Sequence, residues 1–172
     1  MILFLTGASH TGKTLLSQKL MERYHIPYFS IDHLKMGLIR SGQTDLTPMD
    51  DDLLTAYLWP IVREMVKTAI ENDQSLIVEG CYIPFDWAKD FAPEYLSQIR
   101  YRCLIMSEPY IRANIQRIRD LANAIEHRLD DSELCPDDLI RDNNQNLQLC
   151  KEHGCEYLLI DGEYTLSPED VF

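Results

Sequence analysis

The chain of 172 residues has no apolar run near the roughly 20 residues that cross a bilayer. Its first residues also lack the basic stretch, apolar core and small-residue cleavage site of a secretory leader. No membrane partner is expected, and a cytoplasmic location is. Its five cysteines, Cys81, Cys103, Cys135, Cys150 and Cys155, are an odd set with no C-x-x-C pair. That argues against a disulfide framework and against a zinc site. Positive charge is scarce too: 16 Lys and Arg stand against 28 Asp and Glu, for a net charge of -12. The shortage is C-terminal, because residues 1–119 carry 13 basic and 14 acidic side chains while residues 120–172 carry 3 and 14. An acidic surface of that kind repels a phosphate backbone, so no nucleic-acid partner is expected. Internal repeats, low-complexity segments and linkers are missing as well. A hydrophobic content of 45% over this length suits one domain spanning residues 1–172, acting as a monomer or homodimer.

What is present is an alternation of short apolar runs with amphipathic stretches, the pattern of an α/β protein with a parallel sheet. Strands are expected at Met1 to Leu5, Pro27 to Ser30, Ser75 to Glu79, Tyr101 to Met106 and Tyr157 to Ile160. Helices are expected from Lys13 to Tyr24, from Asp32 to Ile39, and from a Thr47-Pro48 start through Val66. Pro60 falls inside that third helix and should kink or divide it near Trp59. Further helices are expected over about Asp86 to Ser97, from Ser107-Glu108-Pro109 to about Ile125, and from Asp137 to His153. Cys103, inside an apolar strand, reads as core.

One segment carries a specific chemical signal. Gly7-Ala8-Ser9-His10-Thr11-Gly12-Lys13-Thr14 matches G-x-x-x-x-G-K-[ST] at every fixed position, follows the apolar run Ile2 to Leu5, and leads into the helix expected from Lys13, with Leu15 completing the candidate nucleotide-binding set. The glycines let successive N–H groups converge on an anion, and the helix adds the positive end of its dipole. Lys13 is expected to reach the β- and γ-phosphates of a nucleotide, and the Thr14 hydroxyl to ligate Mg²⁺. His10 sits at a variable position of the loop, with its side chain directed away from the phosphates.

In such a sheet the active site lies beyond the carboxyl ends of the strands, which puts Asp32, Glu79, Ser107 and Asp161 beside the loop. Glu79, at the tip of a buried strand, can orient Mg²⁺ or contact substrate. Asp32 can hold an acceptor in line and take its proton, or cap the following helix. His33 reads as a surface residue. Lys35 and Arg40, on the acceptor side, are candidates for an anionic group. Of ten arginines, Arg117, Arg119 and Arg128 are candidates for a lid over the nucleotide, with Arg141 a fourth, because a guanidinium pairs with phosphate oxygens and keeps its charge. Cys81 falls in the same region but lacks an evident activating base.

These residues resemble the nucleoside-monophosphate-kinase-like group of P-loop small-molecule kinases, which includes adenylate kinase, shikimate kinase, zeta toxins and 2-phosphoglycerate kinases. The shared features are the P-loop, an Asp after the second strand, an acidic tip on the third and an arginine-bearing segment after the fourth. Ile77-Val78-Glu79-Gly80-Cys81-Tyr82-Ile83-Pro84 looks like the Glu-Gly segment of 2-phosphoglycerate kinases. The resemblance implies a three-layer P-loop NTPase fold with a five-stranded parallel sheet of order 2-3-1-4-5, helices on both faces and a short lid. It further implies ATP and Mg²⁺ as cofactors, a small-molecule acceptor bound near residues 31–60, and a lid near 117–137. No four-cysteine lid and no N-K-x-D guanine signature is present. The alternatives are an ATP-binding regulatory module and a nucleoside triphosphatase without an acceptor.

Overall fold

The computed structural model describes residues 1–121, 134–164 and 166–171. Five strands, β1 (Ile2–Gly7), β2 (Tyr28–Ser30), β3 (Leu76–Glu79), β4 (Ile99–Met106) and β5 (Tyr157–Ile160), form one sheet of order β2-β3-β1-β4-β5. All four pairings are parallel. The helices are α1 (Lys13–Tyr24), α2 (Ile31–Arg40), α3 (Asp51–Glu71), the single turn α4 (Pro93–Leu96), α5 (Glu108–Leu121) and α6 (Pro136–His153). Among the described residues no helix is long and apolar enough to cross a membrane.

Alternation along β1 divides the core. Leu3 and Leu5 face α1, α5 and α6, where Leu16, Leu20, Ile111 and Leu139 pack. Ile2 and Phe4 face the opposite side, against Leu54, Leu58 and Val62 of α3. Helices therefore cover both faces, as a buried parallel sheet requires. Phe4 is the hub of an aromatic group, with ring centroids 5.8 Å from Trp59, 5.3 Å from Trp87 and 6.2 Å from Phe91.

That aromatic group explains one departure from the expected elements. In place of a helix over Asp86 to Ser97 there is a 3₁₀ turn at Trp87–Asp90 followed by the one-turn α4. Phe91 and Ala92 are extended between them, Ala92 because it precedes Pro93. The break lets Trp87 and Phe91 pack on Phe4 and on each other, with Tyr95 against Phe91.

α3 runs through Pro60 as one helix, so of the two outcomes expected there, a kink or a division, the division does not occur. Ala56, whose carbonyl loses its i+4 donor there, is exposed along with Pro60, so water can replace the missing bond. The helix also starts at Asp51, not at Thr47-Pro48, because the Asp50 carboxylate accepts from both the N–H and the hydroxyl of Thr47, at 2.7 Å each, and closes a turn ahead of it.

All five cysteines are free thiols. Cys103 is fully buried, as expected. Cys155 donates to the Phe85 carbonyl at 3.2 Å, and burial, with Cys150 adding, pushes its pKa up to about 11 from an ordinary 9.0. The neutral thiol is thus favoured in the folded state, and its stabilisation is complete below pH 9 and lost as pH rises toward 11. Chemical unfolding measured from pH 8 to 11 should show falling stability, with a shallower fall in Cys155→Ala. Phe4→Ala, which empties the aromatic hub, should cost about 3–5 kcal/mol at neutral pH by urea denaturation.

Candidate active site

The strand tips define the site. Leu5 of β1 pairs with Glu79 of β3, and Glu79 pairs in turn with Ser30 of β2. The loop after β1, the carboxylate of Glu79 and the start of α2 are therefore neighbours because of strand order alone.

β1 runs two residues further than its apolar pattern suggests, through Thr6 and Gly7, before the loop turns into α1. Gly12 caps that helix at φ 86°. Lys13 is only 6% exposed, and its ammonium donates to the Ala8 carbonyl at 2.9 Å, folded back across its own loop. Thr11 Oγ1 donates to the same carbonyl at 2.9 Å. Burial draws the Lys13 ammonium toward neutrality, but Cys81, Glu79 and Asp32 together outweigh it and raise its pKa above the ordinary value. Four of the expected site residues thus converge, since the Thr14 hydroxyl also reaches Glu79 Oε1 at 3.4 Å. Glu79 is 1% exposed, a buried carboxylate facing a buried ammonium.

Asp32 is not the cap of α2. Ser30 holds that position, and Asp32 sits in the first turn, where a carboxylate also meets the positive end of the helix dipole. Its Oδ1 lies 2.6 Å from Lys35 Nζ, so the lysine expected to bind an anion is paired with the carboxylate one turn before it. Lys35 also donates to the Tyr82 hydroxyl at 2.9 Å, and that hydroxyl donates to Asp51 Oδ1 at 2.7 Å. Burial first, then the bond to Asp51, holds the Tyr82 phenol well above its ordinary pKa. The chain Asp32–Lys35–Tyr82–Asp51 joins α2, the turn after β3 and the start of α3. Tyr82 and Asp51 were not among the expected residues; the only signal for them was a location, the turn after Glu79 and the region 31–60.

Tyr164, after β5, was missed as well. Its hydroxyl donates to the Thr11 carbonyl at 3.2 Å and lies only 2.3 Å from where a Cβ on Gly12 would fall. The other strand tips are occupied: Ser107 Oγ donates to Asp161 Oδ1 at 2.7 Å. His33 is exposed and Leu15 half-buried.

The arginines separate. Arg117 is exposed on α5, and Arg119 is half-buried there, donating through Nη2 to the Leu134 carbonyl at 2.8 Å. Its Nε is buried without a partner among the described residues. Arg128 and most of the expected lid lie outside the described residues. Arg141 is held by Asp138 and Asp142 on the surface of α6, and Arg112 by Glu108 and Asp137. Two surface recesses, one by His25, Pro27 and Ser75 and one by Met1, Gln98 and Arg100, lie at the opposite ends of the strands.

No protein-family model matches the chain, and no curated protein matches it by sequence. Solved structures do match by shape. A protein described as a "putative kinase" from Chloroflexus aurantiacus superposes with a TM-score of 0.54 at 20% identity, over 99% of this chain and 93% of that one. Shikimate kinase from Acinetobacter baumannii, solved in complex with shikimate, gives 0.55 at 15% identity, over 98% and 87%. At such identities the likeness shows the fold, a 2-3-1-4-5 parallel sheet with helices on both faces shared with P-loop kinases.

The contact between Tyr164 and Gly12 can be tested by a double-mutant cycle. Gly12→Ala should cost about 1–3 kcal/mol, from both the positive φ and the clash with the phenol. Adding Tyr164→Phe should return part of that loss in thermal unfolding.

Proposed function

We propose that the chain is an ATP-dependent phosphotransferase that moves the γ-phosphoryl group to a hydroxyl of a small-molecule acceptor. The observation that carries this is the convergence of Lys13, Glu79 and Asp32: a buried ammonium inside a phosphate-binding loop, with one carboxylate behind it and another on the acceptor side. A module that only binds nucleotide needs the first of these and has no use for Asp32.

The residues fit the cofactors expected. Mg²⁺ favours hard oxygen ligands and is commonly held by one or two carboxylates or hydroxyls besides phosphate and water. The Thr14 hydroxyl and the Glu79 carboxylate, 3.4 Å apart, are such a pair. When bound, Mg²⁺ supplies charge neutralisation on the phosphate oxygens. The loop from Gly7 to Thr14, with Ala8, Ser9, His10 and Thr11 between its glycines, holds the triphosphate through its N–H groups. Lys13 exchanges the Ala8 carbonyl for phosphate oxygens and neutralises charge on the transferring group.

Asp32 holds the acceptor hydroxyl in line and accepts its proton as the new O–P bond forms and the bond to ADP breaks. Its ion pair with Lys35 keeps the carboxylate oriented. Arg117 and Arg119, with Arg128 from the segment between α5 and α6, are assigned to closing over the nucleotide. Such a closure over residues 117–137 excludes water that would otherwise take the phosphoryl group.

ADP release with Mg²⁺ and a panel of hydroxyl acceptors tests the proposal: one acceptor should raise the rate well above that of ATP alone. Lys13→Ala should abolish ATP binding or turnover by about 10²-fold or more while the far-ultraviolet spectrum is retained. Asp32→Asn should leave ATP affinity within a few-fold and cut transfer by about 10²–10⁴-fold. Equal loss of affinity and transfer in Asp32→Asn would assign that residue to structure instead.

A further inference from the structure

Resting on the phosphotransferase reading, we infer that the acceptor is an uncharged or cationic hydroxyl compound, not one bearing a phosphate or carboxylate. Recognition of an oxyanion calls for an arginine or lysine whose donors are free to turn toward it. The acceptor side offers Lys35 and Arg40. Lys35, its side chain 12% exposed, already donates to Asp32 at 2.6 Å and to Tyr82 at 2.9 Å. Arg40 is exposed at the far end of α2, eight residues beyond Asp32 and so about 12 Å along the helix axis.

Among the described residues, the carboxylates tied into the network at Asp32 outnumber its cations. The Tyr82 hydroxyl donates its hydrogen bond to Asp51 and not into the site, which ties a second carboxylate into the group. Asp32, Lys35 and Asp51 together carry one net negative charge. Residues 31–60 hold five aspartates against Lys35 and Arg40. Lys13 and Thr14 are taken by the nucleotide side, so they add nothing for the acceptor. An anionic acceptor would have to break the Asp32–Lys35 pair and sit beside the released carboxylate. An alcohol or amino alcohol can donate to Asp32 with the network intact.

The test is ADP release by the wild-type chain with acceptors matched in hydroxyl skeleton and differing in charge: a hexose, its amino sugar, its aldonate and its phosphate, with nucleosides beside their monophosphates. Stimulation confined to uncharged and cationic members, by at least about tenfold in kcat/KM over the anions, is expected. A higher kcat/KM for any phosphate- or carboxylate-bearing member overturns the inference and leaves the phosphotransferase reading standing. No stimulation by any member, with ATP bound, overturns both. Asp51→Asn, which keeps an acceptor for the Tyr82 hydroxyl, provides an independent measure. It should raise KM for amino acceptors several-fold without a matching change for uncharged ones, and parallel changes in the two would remove the role given to Asp51.

Discussion

The buried charge of Lys13 is the constraint around which the carboxyl end of the sheet is arranged. An ammonium excluded from water is costly unless compensated, and here the compensation comes from a carbonyl of its own loop and from carboxylates on two other segments. Because β3 lies between β1 and β2, its last residue faces the loop on one side and the start of α2 on the other. An acid at that tip can therefore balance Lys13 and approach Thr14 while Asp32 stands across from both. With the strands in another order, the same residues would be scattered along the sheet edge.

The loop from Gly7 to Thr14 was legible in the sequence because it is local. Eight consecutive residues between a buried strand and a helix define it, and strand-end logic adds Glu79 and Asp32. The sheet order came from resemblance rather than from periodicity, which gives strands but not their neighbours. What could not be read was pairing between distant polar residues. Lys35 looks like a free cation in sequence, and only the fold puts Tyr82 and Asp51 beside it to complete a closed network. Tyr164 was hidden for the same reason, since 153 residues separate it from the carbonyl it bonds.

Elsewhere the departures have separate causes: aromatic packing in one, solvent access and a local side-chain bond in the others. The Asp86 to Ser97 stretch was expected to be helical, yet Trp87 and Phe91 reach the sheet from a broken path. Pro60 persists within a helix because its face is wet. Thr47 resembles a cap, but the Asp50 carboxylate pulls it into a preceding turn.

Gly80 follows the acid at the tip of β3 with φ 154°, its N–H still donating to the Leu5 carbonyl at 3.2 Å. A Cβ there would lie 3.0 Å from the Cβ of Ile31, the fully buried first residue of α2. The seam between β3 and α2 is thus closed to side-chain variation at Gly80. A change in what the scaffold accommodates has to enter through the outer walls, α3 and the turn carrying Tyr82, while the backbone keeps the spacing between Glu79 and Asp32 fixed.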